Sequence, residues 1–209
     1  ATDASTSGAG GVYECPRTGD VVYFEHTFDA QELRYMGDVC RARGAEAEDA
    51  DKITIAALEL WTVVAAAEIF HPELQGEVGE PPRIHSWQQD NQNVCCWINQ
   101  EWSKSPNPLV ALLLRHLFFL ERKYNFRILC IWVASADNIA PDALSRQNFS
   151  LFKSLTTTRL CTPRQVPRRF RMLLTMQSTM SSGWEETPTP RKLSKSVSEA
   201  GPLGSFLAM

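Results

Sequence analysis

The chain has 209 residues, 44% hydrophobic and 22% charged, with a formal net charge of −3. That composition suits one globular domain of about 150 residues plus further sequence, with ample apolar material for a core. No run approaches about 18 uncharged apolar residues and the first residues lack the basic and apolar regions of a signal peptide, so membrane insertion and secretion are not indicated and an intracellular protein is expected. The charge is unevenly placed: residues 1–150 hold 12 Lys+Arg against 21 Asp+Glu, whereas residues 151–209 hold 9 against 3. An acidic body does not bind phosphate backbone by bulk charge. It suits a site that first recruits cations. The six cysteines show no CxxC and no histidine at zinc-ligand spacing, and read as reduced packing residues.

The chain opens on "TDAS", a strand stub carrying Asp3. "GGVYE" and "VVYFEHTF" follow as β-rich segments, the second alternating Val22, Phe24 and Phe28 with polar neighbours, and the turn-like "CPRTGD" joins them. The three read as an antiparallel meander. Residues 29–51 show no clean period and end in the acidic "RARGAEAEDAD", which reads as a surface insertion.

From Ile53 the period becomes 3.6, with Ile53, Ala56, Ala57, Leu60, Val63, Val64 and Ala67 forming one apolar stripe of a helix to about Phe70. Glu59 borders that stripe. "RIHSWQQ" reads as a strand ending at Asp90 and Asn91, followed by a short helix through "VCCWINQEW". Asn107 can cap a helix starting at Pro108 that carries Leu109, Leu112, Leu113, Leu117 and Leu120 inward. "FRILCIWVA" is a continuous apolar run, as expected of a strand covered on both faces. "PDALSRQNFSLF" begins a last helix. The tryptophans Trp87, Trp97, Trp102 and Trp132 read as packing residues.

The expected fold is therefore α/β in the order βββ-α-β-α-α-β-α, with an antiparallel meander and further strands joined by helical crossovers. Beyond about Leu155, prolines, Ser/Thr and scattered basic residues predict a tail unable to bury enough apolar surface to fold alone.

Four acids fall at element ends or borders that this order can bring together: Asp3, Glu59, Asp90 and Asp142. Four converging carboxylates repel one another unless divalent cations neutralise them, and hard oxygen ligands suit Mg²⁺ or Mn²⁺ rather than zinc.

"TDAS" with its following glycines, "LEL" in the first long helix, "DN" after a strand and "DNIAPDALSR" after an apolar strand resemble, in this order, the RNase H domain of retroelement reverse transcriptases. The last stretch is most similar to the "N..AD.LSR" signature of LTR and tyrosine-recombinase retrotransposons. The resemblance covers residues 1–150. It implies an RNase H-like domain with a mixed five-stranded sheet, truncated in its first strand, carrying an insertion at about 29–51 and followed by a basic tail at 151–209.

Carried across, the resemblance makes Asp3, Glu59, Asp90 and Asp142 catalytic ligands of two Mg²⁺ ions about 4 Å apart, with Mn²⁺ able to substitute. The implied activity is endonucleolytic hydrolysis of the RNA strand of an RNA–DNA hybrid. Selecting RNA means reading 2′-hydroxyls across a wide, shallow minor groove. Ser5, Ser7, Asn91 and Asn138, with Gly8, Gly10 and Gly11, are placed to contribute to that. An upstream reverse transcriptase polymerase domain in a parent polyprotein is the implied partner. Two positions depart from the family pattern. Pro141 replaces the usual alanine, which a first helical turn tolerates. "VASAD" lacks a histidine that many members use in proton transfer or product release, a loss of on the order of 10²-fold in rate.

Two alternatives stay open. A DDE transposase or integrase core would place a glutamate on the last helix and none on the first, against Asp142 and Glu59. A decayed or domesticated binding module would keep the scaffold without turnover.

Overall fold

The computed structural model describes residues 1–41, 47–100, 108–168 and 170. Among these residues the fold is mixed α/β, with six α-helices and a mixed sheet. Strands β1 (Thr2–Ala4), β2 (Gly8–Glu14) and β3 (Val21–Thr27) form the antiparallel meander, in the register Asp3↔Gly10 and Gly11↔Phe24. Gly19, at φ +74°, makes the turn between β2 and β3 in a conformation open to glycine.

Residues 29–51, expected as an aperiodic insertion, contain helix α1 (Ala30–Arg41), and helix α2 (Ala47–Leu74) begins before Ile53. A capping box starts α1. The Asp29 carboxylate accepts from the Gln31 and Glu32 N–H groups at 2.9 and 2.8 Å, and the Asp29 N–H donates to Glu32 Oε2 at 3.0 Å.

Helix α2 differs from the single stripe of the periodicity. Leu58, Trp61, Ala65 and Ala66 are buried along with Leu60, Val63, Val64 and Ala67. A helix enclosed all round loses its amphipathic contrast. The meander covers one side of α2, and α1 and helix α4 (Pro108–Lys123) cover the other. Its segment Ile55–Leu74 is long and apolar enough to cross a membrane by composition, and 83% of it is buried inside the protein. Phe70 anchors the aromatic core, with ring centroids 5.8 Å from Phe24 and 6.4 Å from Trp87.

Strand β4 (Arg83–Gln89), helix α3 (Gln92–Asn99) and strand β5 (Phe126–Trp132) follow, and β4 and β5 pair in parallel. Helix α4 starts at Pro108 as expected; its expected cap, Asn107, and Trp102 lie outside the described residues. Among the described residues, strand β5 is covered on one face only. Phe126, Ile128 and Cys130 are buried on one face, whereas Leu129 and Ile131 on the other face are about half exposed, as is Trp132 at the strand's end. Trp132 is thus no core residue.

After a 3₁₀ turn at Ser135–Asp137 come helices α5 (Ile139–Ser145) and α6 (Phe149–Leu155). The chain then adds strand β6 (Cys161–Arg164), parallel to β3, inside the segment expected to stay unfolded. Phe170 is buried with its ring 5.3 Å from Trp61, so the core extends past residue 155. The basic and Ser/Thr-rich stretch from 171 lies outside the described residues.

Instead of one five-stranded sheet, the strands form a four-stranded sheet in the order β1-β2-β3-β6 and a separate pair β4-β5. β1 stands beside β4, where the Trp87 indole N–H donates to Thr2 Oγ1 at 3.0 Å, without laddering to it. Two of the backbone groups β1 turns towards β4 are engaged elsewhere. The Thr2 carbonyl accepts from Asn138 Nδ2 at 2.9 Å, and the Ala4 N–H serves Glu59.

Candidate metal centre

Three separate elements deliver three carboxylates to one place. Asp3 comes from the middle of β1, Glu59 from α2 and Asp90 from the end of β4. Each offers an oxygen, and these oxygens lie within 4.8 Å of one another. Asp3 and Glu59 are 4% and 5% exposed, whereas Asp90 is half-buried, so protein encloses two of the three acids and the third reaches towards solvent.

The electrostatics follow from that enclosure. Burial pushes the Glu59 carboxyl up to about 9, helped by the neighbouring Asp3 and Asp90 charges and opposed by its hydrogen bond from Gln89. Burial also pushes Asp3 up to about 6, opposed by the Ser145 hydroxyl and reinforced by repulsion from Asp90 and Asp142. Carboxylates so placed hold protons in place of a cation, and a divalent ion relieves the same repulsion more completely.

Neighbouring side chains fix the ligands. Gln89 Nε2 donates to Glu59 Oε2 at 2.7 Å, and the Ser145 hydroxyl donates to Asp3 Oδ2. Asp90 Oδ1 is buried with no hydrogen-bond partner. A buried carboxylate oxygen left unpaired costs about 1–3 kcal/mol or more, and a ligated cation would satisfy it. The residues therefore fit a hard divalent ion: Asp3, Glu59 and Asp90 form a cluster that can hold a metal.

Asp142 stands close enough to repel Asp3 and lies outside that three-acid group. It sits in the first turn of α5, and its Oδ1 accepts from Arg146 Nε at 2.6 Å. The other residues singled out in the sequence are engaged locally. Ser5 Oγ donates to the Ser145 carbonyl at 3.0 Å and accepts from the Gly8 N–H at 3.0 Å, which ties the β1–β2 turn to α5. Ser7 is exposed, its hydroxyl 3.2 Å from that of Ser5. Asn91 caps α3, accepting from Asn93 N–H at 3.0 Å and Val94 N–H at 3.4 Å. Asn138 is buried, with its Oδ1 unpartnered.

Gly8 and Gly10 let α5 approach the meander. A Cβ on Gly10 would lie 2.5 Å from Leu144 Cβ, and one on Gly8 would lie 2.7 Å from the Ser145 carbonyl oxygen. Three supporting side chains escaped the motif reading: Gln89, Ser145 and Arg146. Ser145 and Arg146 stand inside "LSR" itself, and Gln89 directly precedes Asp90. Their neighbours drew attention by charge; their own roles needed the packing of α5 on β1.

No protein-family model matches the chain, and no curated protein or solved structure matches it either.

Proposed function

We propose that this chain is an RNase H-type endoribonuclease domain that hydrolyses the RNA strand of RNA–DNA hybrids, of the kind carried by retroelement reverse transcriptases, with Mg²⁺ as its cofactor. The observation that carries this reading is the meeting of Asp3, Glu59 and Asp90 from β1, α2 and β4, within 4.8 Å, in the motif order of the family resemblance. The placement of β1 between β2 and β4 supports an RNase H-like fold built on five strands. The proposed partners are the hybrid itself and a polymerase domain on the same polyprotein.

Asp3, Glu59 and Asp90 would hold the ions, with Asp142 completing the set. Divalent ions at such a site activate a water for attack on the scissile phosphate and stabilise the leaving oxygen. Ser145 keeps the Asp3 carboxylate oriented, and Gln89 does the same for Glu59. Burial of Asp3 and Glu59 limits competition from bulk water for their oxygens. Release of the proton that burial holds on Glu59 accompanies loading.

The test is cleavage of a labelled RNA–DNA hybrid in Mg²⁺ and in Mn²⁺, beside double-stranded RNA and DNA, with Asp90→Asn as control. Hybrid-only cutting that the substitution abolishes is expected. A folded sample that cuts nothing in either metal overturns the activity.

One observation favours a second reading, a binding module without turnover. The guanidinium of Arg146 occupies Asp142, the fourth acid of the set. Such a module would bind the hybrid and leave it intact.

A further inference from the structure

We propose that Cys95 on α3 and Cys130 on β5 are a disulfide-forming pair, oxidised by a peroxide, whose closure displaces Asp90 and weakens the metal centre. The pair itself stands on the packing of α3 against β5. Its effect on the metal centre rests on the metal-site reading given above.

Two elements bring the sulfurs together. Along β5 the side chains of Phe126, Ile128 and Cys130 alternate into the interior, where Cys130 is 4% exposed. Asn99 holds α3 over that residue by pairing its side-chain amide with both Cys130 backbone groups. Its Nδ2 donates to the Cys130 carbonyl, and the Cys130 N–H donates to its Oδ1, each at 2.8 Å. Cys95 lies one helical turn before Asn99, on the same face of α3. It is buried there, and its sulfur accepts a hydrogen bond from the Cys130 thiol. Both cysteines are free, as is their exposed neighbour Cys96.

Cys95 also braces the loop that carries Asp90. Its thiol donates to the Gln89 carbonyl at 3.8 Å, directly ahead of Asp90, and its N–H donates to the Asn91 carbonyl at 3.1 Å, directly after it. One residue thus brackets a proposed metal ligand from both sides.

Closure is a two-electron oxidation. With hydrogen peroxide, the Cys95 sulfur attacks one oxygen, the O–O bond breaks, water leaves and a sulfenic acid forms. The Cys130 sulfur then attacks that sulfur: the S–S bond forms, the S–O bond breaks, and a second water carries away the remaining thiol proton. Two thiols are oxidised and the peroxide is reduced to water. The new bond brings the sulfurs from hydrogen-bond separation to about 2.05 Å and removes the S–H group that serves Gln89. Asp90, joined to α3 through Asn91, moves with the helix. A misplacement of about 0.5 Å is enough to loosen a ligand set.

The full 209-residue chain is treated with hydrogen peroxide, its remaining thiols are alkylated and its peptides are mapped by mass spectrometry. Mn²⁺ binding is titrated before treatment, after it, and after reduction with dithiothreitol. A Cys95–Cys130 crosslink is expected, with Mn²⁺ affinity on the order of tenfold weaker and restored by the reductant. Cys96→Ser keeps both results. Cys130→Ser, or Cys130→Ala where serine is not tolerated, keeps its Mn²⁺ affinity through the same treatment. Absence of the crosslink, or a crosslink through Cys96 instead, overturns the pair. A crosslinked chain that binds Mn²⁺ as tightly as the reduced one overturns the effect on the metal centre. A reduced chain that binds no Mn²⁺ overturns the metal-site reading and that effect with it, while the crosslink, read by mass, stands or falls separately.

Discussion

Ser145, at the end of α5, donates its hydroxyl to the Asp3 carboxylate, 142 positions away in sequence. The bond opposes the upward push of burial on that acid. Replacement by alanine leaves Asp3 better protonated and loosely held. Hydrogen bonds to charged groups contribute about 1.5–3 kcal/mol, so Ser145→Ala is expected to weaken Mn²⁺ binding on the order of tenfold or more. Calorimetric titration with MnCl₂ checks it, and unchanged affinity would show that Asp3 takes no part in ligation.

The two raised acids set the pH behaviour of the metal-free chain. Asp3 at about 6 and Glu59 at about 9 bind protons more tightly folded than unfolded. Their contribution is therefore fully present at acid pH, near the ordinary carboxylate range. It declines as pH rises, through about 6 for Asp3 and about 9 for Glu59. Melting in EDTA is expected to fall in temperature over that window. A divalent ion binds the deprotonated cluster, so Mg²⁺ or Mn²⁺ should raise the melting temperature more at alkaline than at acid pH. Equal gains at both ends would locate the ion elsewhere.

Glu59→Gln separates stability from ligation. The substitution removes an acid that burial and two neighbouring carboxylates oppose, and the amide can still hydrogen-bond to Gln89. In EDTA at alkaline pH the variant is expected to be more stable than the parent, by on the order of 1 kcal/mol, while losing Mn²⁺ binding. Denaturant titration with and without metal reads both effects. A variant that keeps its Mn²⁺ affinity would remove Glu59 from the site.

Arg146 lies on an exposed i,i+4 pair with Asp142, so its truncation should change stability by less than about 1 kcal/mol. Its charge also favours the ionised forms of the surrounding acids and competes with a cation for them. Arg146→Gln is expected to tighten Mn²⁺ binding severalfold at low salt and much less at high salt. The comparison of two ionic strengths tests it, since a purely structural effect would persist in both.

Gly10 is where α5 rests on β2. Adding one methyl group puts it 2.5 Å from Leu144 Cβ and 2.8 Å from the Pro141 carbonyl oxygen. Overpacking of that kind costs typically about 1–3 kcal/mol. Gly10→Ala should lower the denaturant midpoint accordingly and carry Ser145 away from Asp3. Full retention of stability would mean that α5 shifts freely.

Much of the site was legible because its acids sit in short motifs, where charge in an otherwise apolar setting stands out. Asp3, Glu59 and Asp90 come together as that pattern anticipates. The meander, β4 and the start of α4 were likewise written in alternation and in Pro108. What escaped was set by neighbours distant in sequence. Helix α1 depends on the Asp29–Glu32 capping box, a signal hidden by the weak periodicity behind it. β5 shows the same limit from the other side. Its apolar run matches a doubly covered strand, yet among the described residues no layer covers Leu129 and Ile131, and that face is exposed. Strand β6 has four residues, one of them Pro163, and draws its order from pairing with β3.

The Ser145–Asp3 contact also fixes a sequence of events during synthesis. β1, β2 and β3 pair through short turns and can close while the chain is still being made. The Ser145 hydroxyl follows 142 positions later, on α5, and docks only once Ile139–Ser145 has left the ribosome. Until then Asp3 has no hydroxyl to hold it, so its place beside Glu59 and Asp90 is secured only after α5 has been made.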